Sequence, residues 1–157
     1  MKVKDIAIIT VHFKNVNDTL ETLDSLFKAN LPKGVKMTPY VVNNDQSEEI
    51  KKTLPTKFPK AVHVFSATNL GFSGGNNLGL KRALKGKHDT FILLNNDVSV
   101  KKDFIEKVVS SPIAQKDVGI VGGLIYFAPG FEFQGKYKKE QRGKVIWYAG
   151  GEIDWSN

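Results

Sequence analysis

Short runs of aliphatic and β-branched residues recur along the chain and alternate with stretches in which apolar residues repeat every three or four positions. Continuous apolar runs are typical of strands that are covered on both faces, whereas the wider spacing indicates amphipathic helices. The runs predict strands over Ile6–Phe13, Met37–Val42, Ala61–Ser66, Thr90–Leu94, Gly119–Phe127 and Val145–Tyr148.

The helical spacing places a helix after each of the first four strands. The first helix has Asn17 or Asp18 available as its N-cap. The second is predicted to stop before Pro55, because proline removes a backbone donor and clashes with the preceding turn. The second helix is predicted near Ser47–Leu54, the third from Asn76 onwards and the fourth over Lys101–Ser110.

This alternation predicts a single α/β domain, residues 1–157, with a mainly parallel central sheet flanked by helices. Right-handed crossovers bring the C-terminal ends of parallel strands to one edge, where ligands bind in such sheets. The polar or glycine-rich clusters all follow predicted strands: Phe13, Asn43-Asn44, Gly71–Asn77 and Asn95-Asn96-Asp97. We therefore expect a ligand site at this edge.

The charge balance favours an anionic partner. The chain has 23 Lys and Arg residues against 16 Asp and Glu, a net charge of +7. Nucleic acid, a membrane surface or a phosphorylated substrate would each suit this excess. No helix-turn-helix, RNP or zinc module accompanies it, so nucleic acid is not expected. Residues 130–144 carry part of the charge and are interpreted as a solvated basic loop, with membrane association as an alternative.

The remaining composition fits a cytoplasmic protein. The chain has no cysteine, which excludes disulfides and thiolate chemistry. No apolar run approaches the roughly 20 residues of a membrane-spanning helix. The apolar stretch near the N-terminus is β-branched and lacks a small-residue cleavage site, so we interpret it as a buried strand and not as a signal peptide.

The segment Gly71-Phe72-Ser73-Gly74-Gly75-Asn76-Asn77 has two interpretations. Glycines let a backbone adopt positive φ and approach a ligand closely, and the predicted helix that follows offers free N–H groups to a diphosphate. The segment is neither a Walker A loop nor a dinucleotide fingerprint. The alternative is a tight strand-to-helix turn with no ligand, and the glycines alone do not decide between the two.

Asp97 also has two interpretations. A carboxylate directly after an apolar strand, beside the amide of Asn95, offers hard oxygen ligands that suit Mg²⁺ or Mn²⁺. Such a cation could bridge the phosphates of a nucleotide sugar. Alternatively, Asp97 caps the helix predicted over Lys101–Ser110. The three histidines are dispersed. His12 lies at the end of the first predicted strand and therefore on the ligand edge, and a structural role is favoured for it.

Several segments, in the same order along the chain, resemble family 2 glycosyltransferases, especially their rhamnosyltransferase-like branch. The matching segments are Val11-His12-Phe13-Lys14-Asn15, Thr19–Leu26 (TLETLDSL), Val41–Asn44 (VVNN), Asn69–Gly79 (NLGFSGGNNLG), Leu93–Val98 (LLNNDV) and Tyr148–Gly151 (YAGG). The Leu93–Val98 segment is similar to the family's variant of the DxD motif. The resemblance covers essentially the whole chain.

The resemblance implies a Rossmann-like GT-A fold and an inverting, metal-dependent transfer of a sugar from a UDP- or dTDP-linked donor. Asp97, assisted by Asn95, would hold Mg²⁺ or Mn²⁺. Asn43 would face the base, and the Gly71–Asn77 segment would pack against nucleoside and diphosphate. The residues implied in nucleotide-sugar binding are Val11, Phe13, Asn43, Asn44, Gly71, Phe72, Gly74, Gly75, Asn77 and Asn96.

Two departures from the family bear on function. The family usually has Asp where this chain has Asn43, which leaves the base preference open. The family's general base and acceptor segment lie further along the chain, so we expect them beyond Asn157 and interpret the sequence as a donor-binding portion that is inactive alone. The acceptor would be a glycan or a lipid-linked hydroxyl in cell-surface polysaccharide synthesis. The competing hypothesis is a non-catalytic nucleotide-sugar binding module.

Overall fold

A computed structural model describes residues 3–115, 117–132 and 137–151. The chain groups into two compact units, residues 1–116 and 117–157. The first unit carries the sheet and most helices, and the second carries a short β-hairpin. None of the helices in the described ranges is both long and apolar enough to cross a membrane.

The first unit is built on a four-stranded sheet in which all neighbouring strands run parallel. Its strands are β1 (Asp5–His12), β2 (Lys36–Asn43), β3 (Val62–Phe65) and β4 (Thr90–Leu93), arranged in the order β3-β2-β1-β4. The reversal of strand order at β1 places the C-terminal ends of β1 and β4 side by side. The parallel sheet and the positions of its strands confirm the prediction.

Helices follow each of these strands: α1 (Val16–Phe27), α2 (Glu48–Lys57), α3 (Gly71–Ala83) and α4 (Phe104–Ser110). Alternate residues of β1 face opposite layers. Ala7, Ile9 and Val11 pack in a cluster with Ala83 of α3. Ile6 and Ile8 instead pack with residues of α1 and α4. The central strand is therefore covered on both faces, which explains its unbroken apolar run.

Two helix boundaries differ from the prediction. Helix α1 begins at Val16, and its N-cap is Asn15 instead of Asn17 or Asp18. The Asn15 Oδ1 accepts the backbone N–H groups of Asn17 at 3.1 Å and Asp18 at 3.4 Å. Helix α2 continues through Pro55 to Lys57. Proline in the last turn removes one backbone donor there, and the tertiary packing of α2 sustains the helix regardless.

The start of α3 is the largest difference in the first unit. The helix begins at Gly71 and not at Asn76, so the glycine-rich segment that was predicted to precede the helix forms its first turns. Helix α4 begins at Phe104 with Asp103 at the N-cap position, which excludes Asp97 as its cap.

The second unit contains strands β5 (Ile125–Tyr126) and β6 (Ile146–Tyr148), which pair antiparallel. The strand predicted over Gly119–Phe127 is reduced to Ile125 and Tyr126, the two residues that pair with the short strand β6. Glu132 is buried and accepts the backbone N–H groups of Gly130 at 2.7 Å and Gly143 at 2.6 Å. Burial opposes its ionisation, but these backbone hydrogen bonds keep the pKa of Glu132 below its usual value.

The basic segment at 130–144 is partly described. Lys138, Lys139, Arg142 and Lys144 are exposed, which agrees with the predicted solvated loop. Lys136 lies outside the described residues.

Candidate functional site

A cleft of about 260 Å³ lies at the C-terminal edge of the sheet in the first unit. Its lining comes from the ends of β1, β2 and β4 and from the start of α3. The lining residues are Val11, Phe13, Asn44, Asn69, Gly71, Phe72, Asn76, Leu94, Asn95, Asn96 and Asp97. The residues that follow four separate strands thus meet at one cavity, as the parallel topology predicts.

The cleft contains most of the residues predicted to bind donor and cation. Val11, Phe13, Asn44, Gly71, Phe72, Asn95, Asn96 and Asp97 line it, whereas Asn43, Gly74, Gly75 and Asn77 do not. Asn69 and Leu94 line it without having been predicted, and Asn76 lines it as a member of the predicted Gly71–Asn77 segment that was not named singly. Asn69 and Asn76 belong to the NLGFSGGNNLG segment, so the motif itself was the signal that could have found them.

The β1 side of the cleft presents an aromatic ring beside a cation. Phe13 is 40% exposed, and the Nζ of Lys14 lies 5.0 Å from its ring centroid. Lys14 has a φ of 64°, a conformation that non-glycine residues rarely adopt. Its backbone N–H donates to the Asp45 Oδ2 at 2.5 Å, which secures the turn. Such strained residues cluster at ligand sites.

Asn44 connects the end of β2 to the start of α3. Its Nδ2 donates to the Oδ1 of Asn69 at 3.0 Å and to the carbonyl of Gly71 at 3.2 Å. Its Oδ1 accepts the backbone N–H of Leu70 at 3.1 Å. The side chain is buried and fully engaged, so Asn44 shapes the cleft wall from behind.

Asn43, which the resemblance implies would face the base, is bonded to the backbone of the protein. The side chain is buried and exchanges two hydrogen bonds with the backbone of Ser47, whose N–H donates to the Oδ1 at 3.0 Å and whose carbonyl accepts from the Nδ2 at 2.8 Å. The amide therefore holds the turn between β2 and α2, and it is absent from the cleft lining.

The N-terminus of α3 opens at the cleft. Gly71 has a φ of +67°, a conformation that glycine adopts more readily than any other residue. The N-cap residue Leu70 makes no side-chain capping bond. The Phe72 side chain is 65% exposed. The Gly71 N–H donates to the Oδ1 of Asn69 at 2.9 Å, and the helix dipole together with the N–H groups that follow Gly71 makes such a terminus favourable for an anion.

Gly75 lets α3 approach the end of β1. A Cβ at this position would lie 2.8 Å from the Cγ1 of Val11 and 3.4 Å from the Cγ of Asn44. Both neighbours line the cleft, so Gly75 determines the shape of the cleft wall without being part of it. Gly74 faces Leu70 instead.

Asp97 and Asn95 present the polar groups of the β4 side. Both residues are exposed and line the cleft, whereas the intervening Asn96 is half-buried. Within the described residues, no group of three or more His, Cys, Asp or Glu side chains could hold a metal by itself. One carboxylate and one amide do fit Mg²⁺ or Mn²⁺ when phosphate oxygens complete the coordination.

His12 lies beneath the cleft and not in it. The ring is buried, and its Nδ1 is 2.7 Å from the Oγ1 of Thr19. Its Nε2 is 3.5 Å from the Oδ1 of Asp45 and has no hydrogen-bond partner among the described residues. Burial lowers the pKa of His12, although the nearby charges of Asp45 and Glu49 act in the opposite direction.

Comparisons with known proteins agree with this architecture. The sequence profile of glycosyl transferase family 2 matches residues 7–153. Residues 1–349 of TarS from S. aureus are similar with a TM-score of 0.56 at 19% identity, over 80% of this chain and 41% of that one, and the same part of TarS in complex with UDP-GlcNAc gives 0.55 at 21% identity over 68% and 30%. No curated protein sequence is significantly similar to the chain.

A further neighbour is the mannosyltransferase PcManGT from Pyrobaculum calidifontis, in complex with GDP-Man and Mn²⁺. Its TM-score is 0.58 at 15% identity, over 76% of this chain and 34% of its own. The chain thus spans between 30% and 41% of the length of these neighbours. The profile covers nearly all of the chain and the neighbours share its parallel sheet: the chain has the GT-A fold and belongs to glycosyltransferase family 2.

Proposed function

We propose that the cleft binds a nucleoside-diphosphate sugar and that the protein transfers the sugar to an acceptor hydroxyl with inversion. The observation that carries the proposal is the meeting of three kinds of group in one cavity. The exposed ring of Phe13, the N-terminus of α3 at Gly71 and the carboxylate of Asp97 all line it.

Each of these groups suits one part of such a donor. The face of Phe13 offers a stacking surface for a nucleoside base. The N-terminus of α3 offers N–H groups and a favourable dipole to the diphosphate. Asp97 with Asn95 would hold a divalent cation, which neutralises charge on the departing diphosphate.

The neighbours support this assignment through what they bind. TarS is known in complex with UDP-GlcNAc and with UDP, and PcManGT in complex with GDP-Man and Mn²⁺. For this chain, a UDP- or dTDP-linked donor and Mg²⁺ or Mn²⁺ form part of the proposal. Rhamnosyltransferase-like specificity is proposed on the NLGFSGGNNLG and LLNNDV segments.

The biological setting is proposed on chemical grounds. The acceptor is a glycan or lipid-linked hydroxyl in cell-surface polysaccharide synthesis. The exposed lysines and arginine of residues 138–144 suit an anionic surface, which would place the protein in the cytoplasm at the inner face of the membrane.

Isothermal titration with UDP, dTDP and GDP, each with and without Mn²⁺, tests the donor site. We expect Mn²⁺ to strengthen binding of at least one nucleotide. The Asp97→Asn variant should lose at least tenfold in Mn²⁺-dependent affinity, because the cation loses a charged ligand. Asp24→Asn is the matched control, since it removes an exposed carboxylate of α1 that pairs with Lys28 outside the cleft.

Equal binding with and without Mn²⁺ would contradict the role of Asp97. Failure of every nucleotide to bind would overturn the proposed function itself. The chain spans less than half of the length of these neighbours, so sugar transfer is measured on a longer chain, where nucleotide-sugar binding without transfer or donor hydrolysis would favour a non-catalytic binding module.

A further inference from the structure

Helix α1 carries hydroxyl side chains at three positions spaced by three residues, Thr19, Thr22 and Ser25. This spacing places them along one face of the helix. Thr19 and Thr22 are buried and Ser25 is half-buried. Hydroxyls at such positions need hydrogen-bond partners, because an unpaired buried polar group is costly.

The partners of this row belong to the segment that follows β4. The Nδ2 of Asn96 donates to the Oγ1 of Thr19 at 3.0 Å. The next two hydrogen bonds come from the backbone. The Val98 N–H donates to the Thr22 Oγ1 at 3.1 Å, and the Val100 N–H donates to the Ser25 Oγ at 3.1 Å.

The segment needs these partners because it has left the sheet. Strand β4 ends at Leu93, and the Leu94 N–H still donates to the Ile9 carbonyl at 2.9 Å. Beyond it, the backbone donors of Val98 and Val100 bond to α1 instead of a strand. The hydroxyl oxygens of the row thus accept backbone N–H groups that, within a sheet, the carbonyls of a neighbouring strand would accept.

The hydrogen bonds to this row coincide with an alternation of exposure along residues 95–100. Residues 96, 98 and 100 are bonded to the helix and half-buried, whereas Asn95, Asp97 and Ser99 are exposed. Asp97 lies between two anchored residues. Asn96 and Asp97 form a turn, and the bonds of Asn96 and Val98 to α1 hold the residues on both sides of the Asp97 carboxylate.

The Thr19 end of the row is itself fixed from below. Its Oγ1 lies 2.7 Å from the Nδ1 of the buried His12 and 3.3 Å from the carbonyl of Asn15, the N-cap of α1. Thr22 is linked along the helix, because its carbonyl accepts the Ser25 hydroxyl at 2.8 Å. The row is therefore anchored to the buried His12 and to the N-cap of α1.

We propose that Thr22, acting with Thr19 and Ser25, is a positioning residue that holds Asp97 in register to receive the divalent cation. Thr22 does not line the cleft and acts through the Val98 backbone. The inference rests on the proposed donor site, and groups that orient metal ligands in this way typically affect metal affinity about 10- to 100-fold.

The test compares three variants of the 157-residue chain. Thr22→Val keeps the side-chain shape and removes the hydroxyl, and Thr22→Ser restores the hydroxyl. Ile50→Val trims a core cluster formed with Leu23 and Val41, which contains no residue of the 95–100 segment. Mn²⁺ affinity is measured in the presence of the nucleotide that binds the wild type, together with amide hydrogen exchange at Val98 and the Tm.

We expect Thr22→Val to weaken Mn²⁺ binding about tenfold and to speed exchange at Val98, with Thr22→Ser close to the wild type. Ile50→Val should lower the Tm without changing Mn²⁺ affinity. Unchanged Mn²⁺ affinity in Thr22→Val would overturn the inference and leave the proposed function standing. An equal loss of affinity in Ile50→Val would also overturn it, since the effect would then follow stability. A wild type that binds no nucleotide would overturn the proposed function and the inference with it.

Discussion

The two edges of the parallel sheet both carry a histidine beside a carboxylate, but they use the pair differently. At the N-terminal edge, the Nδ1 of His88 lies 2.7 Å from the Asp5 Oδ1, and its Nε2 lies 2.9 Å from the Tyr40 hydroxyl. A carboxylate can only accept, so the Nδ1 donates and the Nε2 accepts the tyrosine proton. Both ring nitrogens are satisfied.

At the C-terminal edge, His12 has one good partner, Thr19, and its other nitrogen stays 3.5 Å from Asp45 without a hydrogen bond. The same edge holds the exposed Asp97 and the strained backbone of Lys14 and Gln46, the non-glycine residues with positive φ in the described ranges. At the N-terminal edge these polar groups hydrogen-bond to one another, whereas the C-terminal edge retains polar groups that can bind a ligand.

The difference teaches where stability and function can be separated. The N-terminal edge gains stability from complete pairing, including the Asp89 Oδ2, which accepts the N–H groups of Lys4 at 2.9 Å and Asp5 at 3.0 Å. The C-terminal edge gives up some of that stability, as expected where groups await a ligand. Changes at the two edges should therefore have opposite signatures.

The largest effect is expected for His88→Ala. The variant leaves the Tyr40 hydroxyl and the Asp5 carboxylate without their partner and removes a ring that packs edge-on against Phe91. We expect a loss of about 3 kcal/mol in the free energy of unfolding, with nucleotide affinity unchanged. Urea denaturation measures it. Tyr40→Phe, which removes one hydrogen bond, should cost about 1 kcal/mol. A large loss of nucleotide affinity in His88→Ala would erase the contrast between the edges.

Gly79→Ala tests the packing between the edges. A Cβ there would lie 2.5 Å from the Ile9 Cγ2 and 2.9 Å from the Val42 Cγ2. Although alanine favours helices over glycine by about 1 kcal/mol, we expect a net loss of about 2 kcal/mol from overpacking. Gly75→Ala is the matched comparison, because it presses on Val11 in the cleft and should affect nucleotide affinity more than stability. A stability gain in Gly79→Ala would refute the close packing of α3.

The smallest effect is expected for the dependence of folding stability on acidic pH. Burial lowers the pKa of His12 from its ordinary value of 6.5, so the unfolded chain binds this proton more readily than the folded chain. Stability should be fully present above about pH 6.5 and decline as the pH falls below it. Denaturation midpoints between pH 7 and pH 5 measure the slope. His12→Gln should reduce that slope without abolishing it, because burial also lowers the pKa of His63. An unchanged slope would remove His12 as its source.

The sheet and the location of the cleft could be predicted because they follow from local patterns. The β-branched run at Ile6–Phe13 encodes a strand covered on both sides, and parallel topology then brings the strand ends together. The side chains after each strand could be named before their geometry was known. Asp97 and Asn95 are examples, and the structure brings both to the cleft.

The exceptions depend on partners that are distant in sequence. Gly71–Gly75 looked irregular because glycine disfavours helices, yet α3 includes it since the helix must approach Val11 closely. Asn43 follows β2 at the ligand edge, yet its amide bonds to the Ser47 backbone and does not line the cleft. The strand predicted from Gly119 lacked a pairing partner of equal length. In each case tertiary structure overrode a local preference.

For protein engineering, the alternation in residues 95–100 separates two requirements that usually conflict. Asn95 lines the cleft with Asp97 and makes none of the three hydrogen bonds that join the segment to α1. A library confined to Asn95 can therefore search for altered cation preference without a parallel search for compensating stabilising substitutions.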